Sequence, residues 1–313
     1  MSLINSEFDS NHDGIVHCVK YDHYGKRIAT GGSDGKINIF LIENSNKITL
    51  QAKLTKNGHQ HSVWDLSWSH PKYGTYLASC SYDHKIIIWK ETFSSNWEIV
   101  YTYDKHTGSV NKCEFAPYQY GLILLCCSSD GSLSLHEYKN DKSSWVSYQI
   151  PNAHMGEINS VSWGPAFPPI DFQEEDNGLS EEVMPMRFAS GGSDGQMKIW
   201  SSLKNSITGF QSGDPKIQRD IAIRDVAWLN YVGYSYDTIA ISFDNGLVVI
   251  YKVKSQGEEE TKEIDIKKPG IKVSWSHCGT YLSICTGENE VHFYQENLDQ
   301  TWDEVKTPEI ELK

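Results

Sequence analysis

A short hairpin-like unit recurs along this chain, and its recurrence restricts the fold more than any other feature. Tyr76 to Lys90 reads YLASCSYDHKIIIWK. An alternating run, with Tyr76, Ala78 and Cys80 on one face, enters a turn at Tyr82-Asp83-His84. An apolar strand then ends on Trp89. The pattern returns as IATGGSDGKINIF (Ile28 to Phe40), LLCCSSDGSLSLH (Leu124 to His136) and FASGGSDGQMKIW (Phe188 to Trp200). A unit of this kind cannot bury both faces alone, so repeated copies must stack on one another.

The residue closing each hairpin forms a ruler. Phe40, Trp89, His136, Trp200, Tyr251 and Tyr294 are spaced by 49, 47, 64, 51 and 43 residues. Four hairpins are preceded by a histidine (His12, His59, His106, His154) at intervals of 47, 47 and 48. Each histidine is followed by an alternating strand: Ile15-His17-Val19-Tyr21, Val63-Asp65-Leu66-Trp68, Val110-Lys112-Phe115 and Ile158-Val161-Trp163. Outer strands are expected at Ile48–Leu54, Trp97–Tyr103, Trp145–Ile150, Lys262–Ile266 and Trp302–Val305. Four short strands per unit of roughly 40–50 residues predict an all-β, WD-repeat β-propeller. Six units then occupy residues 1–313 as a single domain.

The long 64-residue interval holds an insertion over 164–186, with Pro165, Pro168, Pro169, Pro185 and the acidic run Glu174-Glu175-Asp176. Proline removes strand donors and the charges resist burial, so a protruding loop in blade four is expected. Units five and six have drifted. Their first strands, IAIRDVAW and IKVSW, have no histidine at the expected place, and their turns are Asp244-Asn245-Gly246 and Glu288-Asn289. Between Ser202 and Gln218 no convincing strand is legible.

The totals exclude several classes. A formal net charge of −13 argues against nucleic acid or an anionic membrane as a direct partner, since both need clustered cations. Seven cysteines without a C-x-x-C pair, and no Asn-x-Ser/Thr sequon, fit reduced thiols in the cytosol. The first residues, MSLINSEFDSNHDG, carry no basic start or apolar run, so no signal peptide is expected. The longest apolar run, Leu122 to Cys127, is far short of the roughly 20 residues that span a bilayer.

His12, His59, His106 and His154 with the turn acids Asp34, Asp83, Asp130 and Asp194 invite a catalytic reading. One pair recurs per unit, however, whereas a catalytic site gathers unlike residues in one place. The reading adopted is structural. Each aspartate accepts from its turn and from the imidazole, which reaches a strand hydroxyl and the indole of Trp89 or Trp200. No nucleophile elbow, P-loop or H-E-x-x-H occurs, so no catalytic residue, cofactor or metal is assigned.

Several stretches resemble one family in particular. SHPKYG (Ser69 to Gly74) running into LASCSYDHKIIIWKE, FAP (Phe115 to Pro117), YGLILLCCSSDGSLSL, AHMGEINSVSWGPA (Ala153 to Ala166) and RFASGGSD are similar to the WD-repeat propeller subunit of the COPII outer coat. That subunit is the thirteenth of the Sec series and also serves in the nuclear pore Y-complex. The likeness runs from about His12 to Trp302 and is densest in units two to four. A related nucleoporin propeller of the same open type is the runner-up. The resemblance implies an open six-bladed propeller completed in trans by a blade from a large α-helical solenoid partner. It implies a non-catalytic scaffold in the cytoplasm, peripheral on endoplasmic reticulum membrane and COPII vesicles, and at the nuclear pore. The count of units agrees, because eleven residues precede His12 and eleven follow Trp302. Residues expected to face the gap are Ile15, Val19 and Tyr21 on the first unit and Leu282, Ile284, Val291 and Phe293 on the sixth. The rival readings are a closed propeller that captures peptides as an adaptor and, third, an enzyme.

Overall fold

The computed structural model describes residues 8–43, 47–166, 185–202, 206–230, 236–254, 257–288 and 290–305. They build the all-β fold of a six-bladed β-propeller, with one antiparallel sheet per blade. The chain divides into two compact units, Met1–Ala153 and His154–Lys313.

The first unit carries three blades. Blade one is β1 (Val16–Tyr21), β2 (Arg27–Gly32), β3 (Ile37–Ile42) and β4 (Ile48–Leu54). Blade two is β5 (Val63–Trp68), β6 (Tyr76–Ser81), β7 (Ile86–Glu91) and β8 (Trp97–Tyr103). Blade three is β9 (Val110–Phe115), β10 (Ile123–Ser128), β11 (Leu133–Lys139) and β12 (Ser144–Ile150). The alternation of each strand sends one apolar row to each neighbouring blade. Ala29, Ile37 and Ile39 meet Leu66, Leu77 and Ile87 between blades one and two. Ala78, Ile86 and Ile88 meet Cys113, Leu124 and Cys126 between blades two and three.

The second unit repeats the plan. Blade four is β13 (Ile158–Trp163), β14 (Arg187–Gly192), β15 (Gln196–Ser202), β16 (Phe210–Ser212) and β17 (Ile217–Gln218). Blade five is β18 (Ile223–Trp228), β19 (Tyr236–Phe243), β20 (Leu247–Lys254) and β21 (Glu259–Asp265). Blade six is β22 (Gly270–Trp275), β23 (Tyr281–Thr286), β24 (Val291–Glu296) and β25 (Trp302–Glu304). Ala189 and Met197 pack on Val226, Ile239 and Ile241, while Val248 and Ile250 pack on Val273, Leu282 and Ile284.

Every closing residue of the ruler falls at one register. Phe40 pairs with Ile28, Trp89 with Leu77, His136 with Leu124, Trp200 with Phe188, Tyr251 with Ile239 and Tyr294 with Leu282. This common register makes positions comparable from blade to blade.

Blade four departs from the expectation for Ser202 to Gln218. Two short pieces, β16 and β17, pair with β15 in place of one outer strand. Gly213-Asp214-Pro215 lies between them, and proline has no N–H to give a ladder. Residues 167–184 of the expected loop, and Asn289 of the sixth turn, lie outside the described residues.

Candidate functional site

Two features stand out as candidate sites: a set of buried polar chains in blades one to four, and the apolar faces left exposed on blades one and six.

In blade two, Asp83 accepts from the backbone N–H groups of Gln60 (3.1 Å) and Lys85 (3.0 Å) and from His59 Nδ1 at 3.0 Å. His59 Nε2 lies 2.8 Å from Ser79 Oγ, which also accepts from Trp89 Nε1 at 3.0 Å. Donors and acceptors balance in one direction: indole N–H to hydroxyl, hydroxyl to Nε2, and Nδ1–H to carboxylate. Blade four has the same chain, with His154 Nδ1 3.0 Å from Asp194, His154 Nε2 2.7 Å from Ser190 Oγ, and Trp200 Nε1 donating to Ser190 at 2.8 Å. In blade one, His12 bridges Asp34 (2.9 Å) and Thr30 (2.8 Å), and Phe40 ends the row without a polar atom.

Blade three changes the parts and keeps the connectivity. Cys126 occupies the strand position that Ser79 and Ser190 hold, and the hydroxyl comes from its cross-strand partner Ser134. His106 reaches Asp130 at 2.9 Å and Ser134 at 2.8 Å. His136 Nε2 lies 3.0 Å from Ser134, in the place of an indole, and its Nδ1 faces Tyr101 Oη at 3.1 Å. Ser132 adds a hydroxyl to Asp130 at 2.5 Å. Thr30, Ser79 and Ser190 carried no signal in the sequence beyond their place two residues before a glycine or serine at the turn, and Ser134, on the strand after the turn, lacks even that.

The electrostatics follow from burial. Burial pushes the Asp83 carboxyl up, but the His59 imidazole and the turn N–H groups outweigh it and bring it down to about 2. Asp34 and Asp130 are likewise held at about 2 against burial, and Asp194 is lowered by the same balance. Burial drives His106 and His154 below the ordinary imidazole range, and fully buried His136 down to about 3. These imidazoles are therefore neutral at pH 7. Each pair sits within its own blade, with its nitrogens committed to the fold. Among the described residues, no three His, Cys, Asp or Glu side chains converge to hold a metal ion.

On blade one, Val19 is 53% exposed, whereas the residues at its register position in blades two, three, five and six (Leu66, Cys113, Val226, Val273) are at most 5% exposed. Ile15 and Tyr21 are exposed beside it, as is Leu50 on β4. On blade six, Val291 is 50% exposed, against complete burial of Ile37, Ile86 and Leu133 at the same register position. Phe293 is half-buried and Tyr281 is exposed.

Leu282 and Ile284 do not belong to this face. Both are fully buried against blade five. Leu282 pairs with Tyr294 and Ile284 with His292, whereas Val291 and Phe293 pair with Cys285 and Ser283. Directly paired residues share a side of the sheet, so the two expected sets point in opposite directions. Tyr281, which sequence reasoning passed over, takes their place.

The chain matches the family described as "WD domain, G-beta repeat" over residues 5–40, 50–90 and 97–137. Among solved structures, one titled "Crystal Structure of Mitotic Checkpoint Complex" is similar in fold, with a TM-score of 0.66 at 17% identity, covering 93% of this chain and 79% of that one. Among curated proteins, the chain is 36% identical over 304 residues to "Protein SEC13 homolog" of Drosophila melanogaster, covering 96% of this chain and 83% of that protein. It is 34% identical over 307 residues to "Protein transport protein sec13" of Emericella nidulans, covering 95% and 96%. A third relative, "Protein transport protein SEC13" of Cryptococcus neoformans, is 32% identical over 322 residues, covering 94% and 95%. With relatives at this identity spanning nearly all of its length and most of theirs, the chain belongs to the SEC13 family.

Proposed function

We propose that this chain is a non-catalytic structural subunit of the COPII vesicle coat, acting in transport from the endoplasmic reticulum, and that it serves equally in the nuclear pore Y-complex. Its relatives are named for protein transport, which supports the first role. In this reading residues 1–313 act as one propeller domain, and a large α-helical solenoid partner donates a β-blade to it. The protein is cytoplasmic and reaches membranes through other coat proteins; among the described residues no helix is long and apolar enough to cross a bilayer.

The observation that carries the reading is the exposure of Val19 at a register position buried in the other blades compared. An apolar row of Ile15, Val19 and Tyr21 on one sheet, and of Tyr281, Val291 and Phe293 on another, calls for cover. Strands from a second chain supply it, by the same main-chain pairing and side-chain interdigitation that joins blades within this one. A blade buried on both faces exceeds the roughly 1,600 Å² of a standard interface, so the complex is expected to be close to obligate. The His–Asp chains serve as internal staples of blades one to four and take no part in chemistry.

The test is co-expression with a tagged solenoid coat subunit carrying its blade-forming segment. Wild type is expected to co-purify in equal amounts, and Val19→Asp or Tyr21→Glu to lose capture while keeping its melting temperature. Undiminished capture by both variants would remove the proposed docking face.

A further inference from the structure

A cleft of about 540 Å³ opens between blades five and six, lined by Tyr236, Thr238, Lys252, Trp275, Glu296 and Trp302 among others. Its origin is visible by comparison with sister positions. The residue one place before the buried aliphatic or aromatic of each second strand is Arg27 in blade one, Arg187 in blade four and Thr238 in blade five. Arg27 lays its guanidinium over Trp68 of the next blade, 5.2 Å from the ring centre, and donates to Glu91 at 2.7 Å. Arg187 lies 5.3 Å over Trp228 and donates to Asp237 at 2.6 Å. In both places a planar cation fills the space between two blades, stacked on an indole and held by a carboxylate.

Blade six presents the same receiving parts. Trp275 occupies the register position of Trp68 and Trp228, and Glu296 that of Glu91. Blade five presents only Thr238, which is 2% exposed and whose Oγ1 has no hydrogen-bond partner. A threonine cannot span to the Trp275 ring, so the volume of a guanidinium is left open. Lys252 answers part of the charge: its ammonium pairs with Glu296 and lies 4.6 Å over the Tyr236 ring and 6.0 Å from that of Trp302. It approaches from the neighbouring strand β20. A carboxylate accepts up to about four hydrogen bonds, so Glu296 can serve Lys252 and a second cation together. Glu260, across β20–β21 from Lys252, adds another carboxylate to the lining.

We infer that this cleft is a receptor for an arginine side chain of a partner polypeptide. The guanidinium stacks on Trp275, its N–H fork meets Glu296, and Thr238 Oγ1 accepts a further N–H. Lysine fits less well, because a compact ammonium cannot cover the indole face and satisfy both acceptors together. Trp275, Glu296 and Thr238 are distinct from Val19, Tyr21 and Val291, and the probe titration uses no partner chain, so its success or failure is separate from that of blade capture.

The full-length chain, labelled with ¹⁵N at its tryptophans, is titrated with N-acetyl-arginine methylamide and with the matching lysine and citrulline compounds. Two indole resonances, those of Trp275 and Trp302, are expected to shift saturably with the arginine probe, with at least tenfold weaker response to the other two. Thr238→Arg, which restores the plug seen at Arg27 and Arg187, is expected to abolish the response and raise the melting temperature. Thr238→Leu removes the accepting hydroxyl without adding charge and is expected to weaken the response severalfold, so a folding defect in one variant leaves the other to decide. No saturable shift in wild type, an equal response to citrulline, or unchanged binding in both variants would overturn the assignment. A response to acetyl-aspartate methylamide in place of the arginine probe would assign the cleft to anions and overturn it as well.

Discussion

At the scale of single residues, the polar chains of blades one to four convert burial into specificity. Ser79 holds two neighbours at once, the Nε2 of His59 at 2.8 Å and the Nε1 of Trp89 at 3.0 Å, while the other ring nitrogen of His59 is held by Asp83. Ser79→Ala leaves both buried groups unsatisfied and is expected to lower stability by about 1–3 kcal/mol, read by chemical denaturation. The turn that follows the second strand in blades one to five asks for a left-handed residue, met by glycine at Gly35, Gly131, Gly195 and Gly246. Blade two uses His84 there, at a φ of 68°. His84→Gly is expected to raise stability by about 0.5–1 kcal/mol, because relief of the left-handed strain outweighs the entropy gained by the unfolded chain. The thiols divide in the same local way. Hydrogen bonds from Thr280 and Ser276 pull exposed Cys278 down to about 7, while burial holds Cys80 and Cys126 well above the usual thiol range. One equivalent of a thiol reagent is expected to react promptly at pH 7, and peptide mapping should find it on Cys278.

At the scale of strands and sheets, pairing decides which side chain a neighbour sees. Leu282 and Val291 both read as apolar strand residues in blade six, yet one is buried against blade five and the other is half exposed. Leu282→Asp puts a carboxylate into that core and is expected to cost roughly 3–5 kcal/mol, whereas Val291→Asp should change stability by less than about 0.5 kcal/mol. Thermal melts of the two variants separate these outcomes cleanly. The alternation of blade six was legible; its phase was not, because period two says only which residues lie together. Blade three teaches the complementary point. Cys126 in place of a serine looks like the loss of the polar chain, and only the cross-strand partner Ser134 reveals that the hydroxyl has moved one strand over.

For the whole molecule, the titrating groups act in one direction. The carboxyls of Asp34, Asp83 and Asp130 are near 2 when folded and about 4 when unfolded, so their contribution is present above pH 4 and lost as pH falls toward 2. His106, His154 and His136 are depressed when folded, so the unfolded chain binds protons first as pH falls below about 6.5. Both sets make stability decline on acidification, beginning near pH 6.5 and steepening below pH 4. A flat melting temperature between pH 7 and pH 4 would show that the buried imidazoles are protonated in the native state.

Taken alone, the sequence determined the repeat, the number of blades, the hairpins of the first four and the closing residue of all six. A spacing of aromatic closers survives in the chain because each must fill the same register position, from Phe40 to Tyr294. The tertiary structure alone decided what each blade lacks. Whether Val19 is covered, whether Leu282 faces inward, and whether Thr238 leaves a cleft where Arg27 and Arg187 fill one all depend on the sheet alongside. Local pattern encodes the face a residue shares, while burial is a property of the neighbour that meets it.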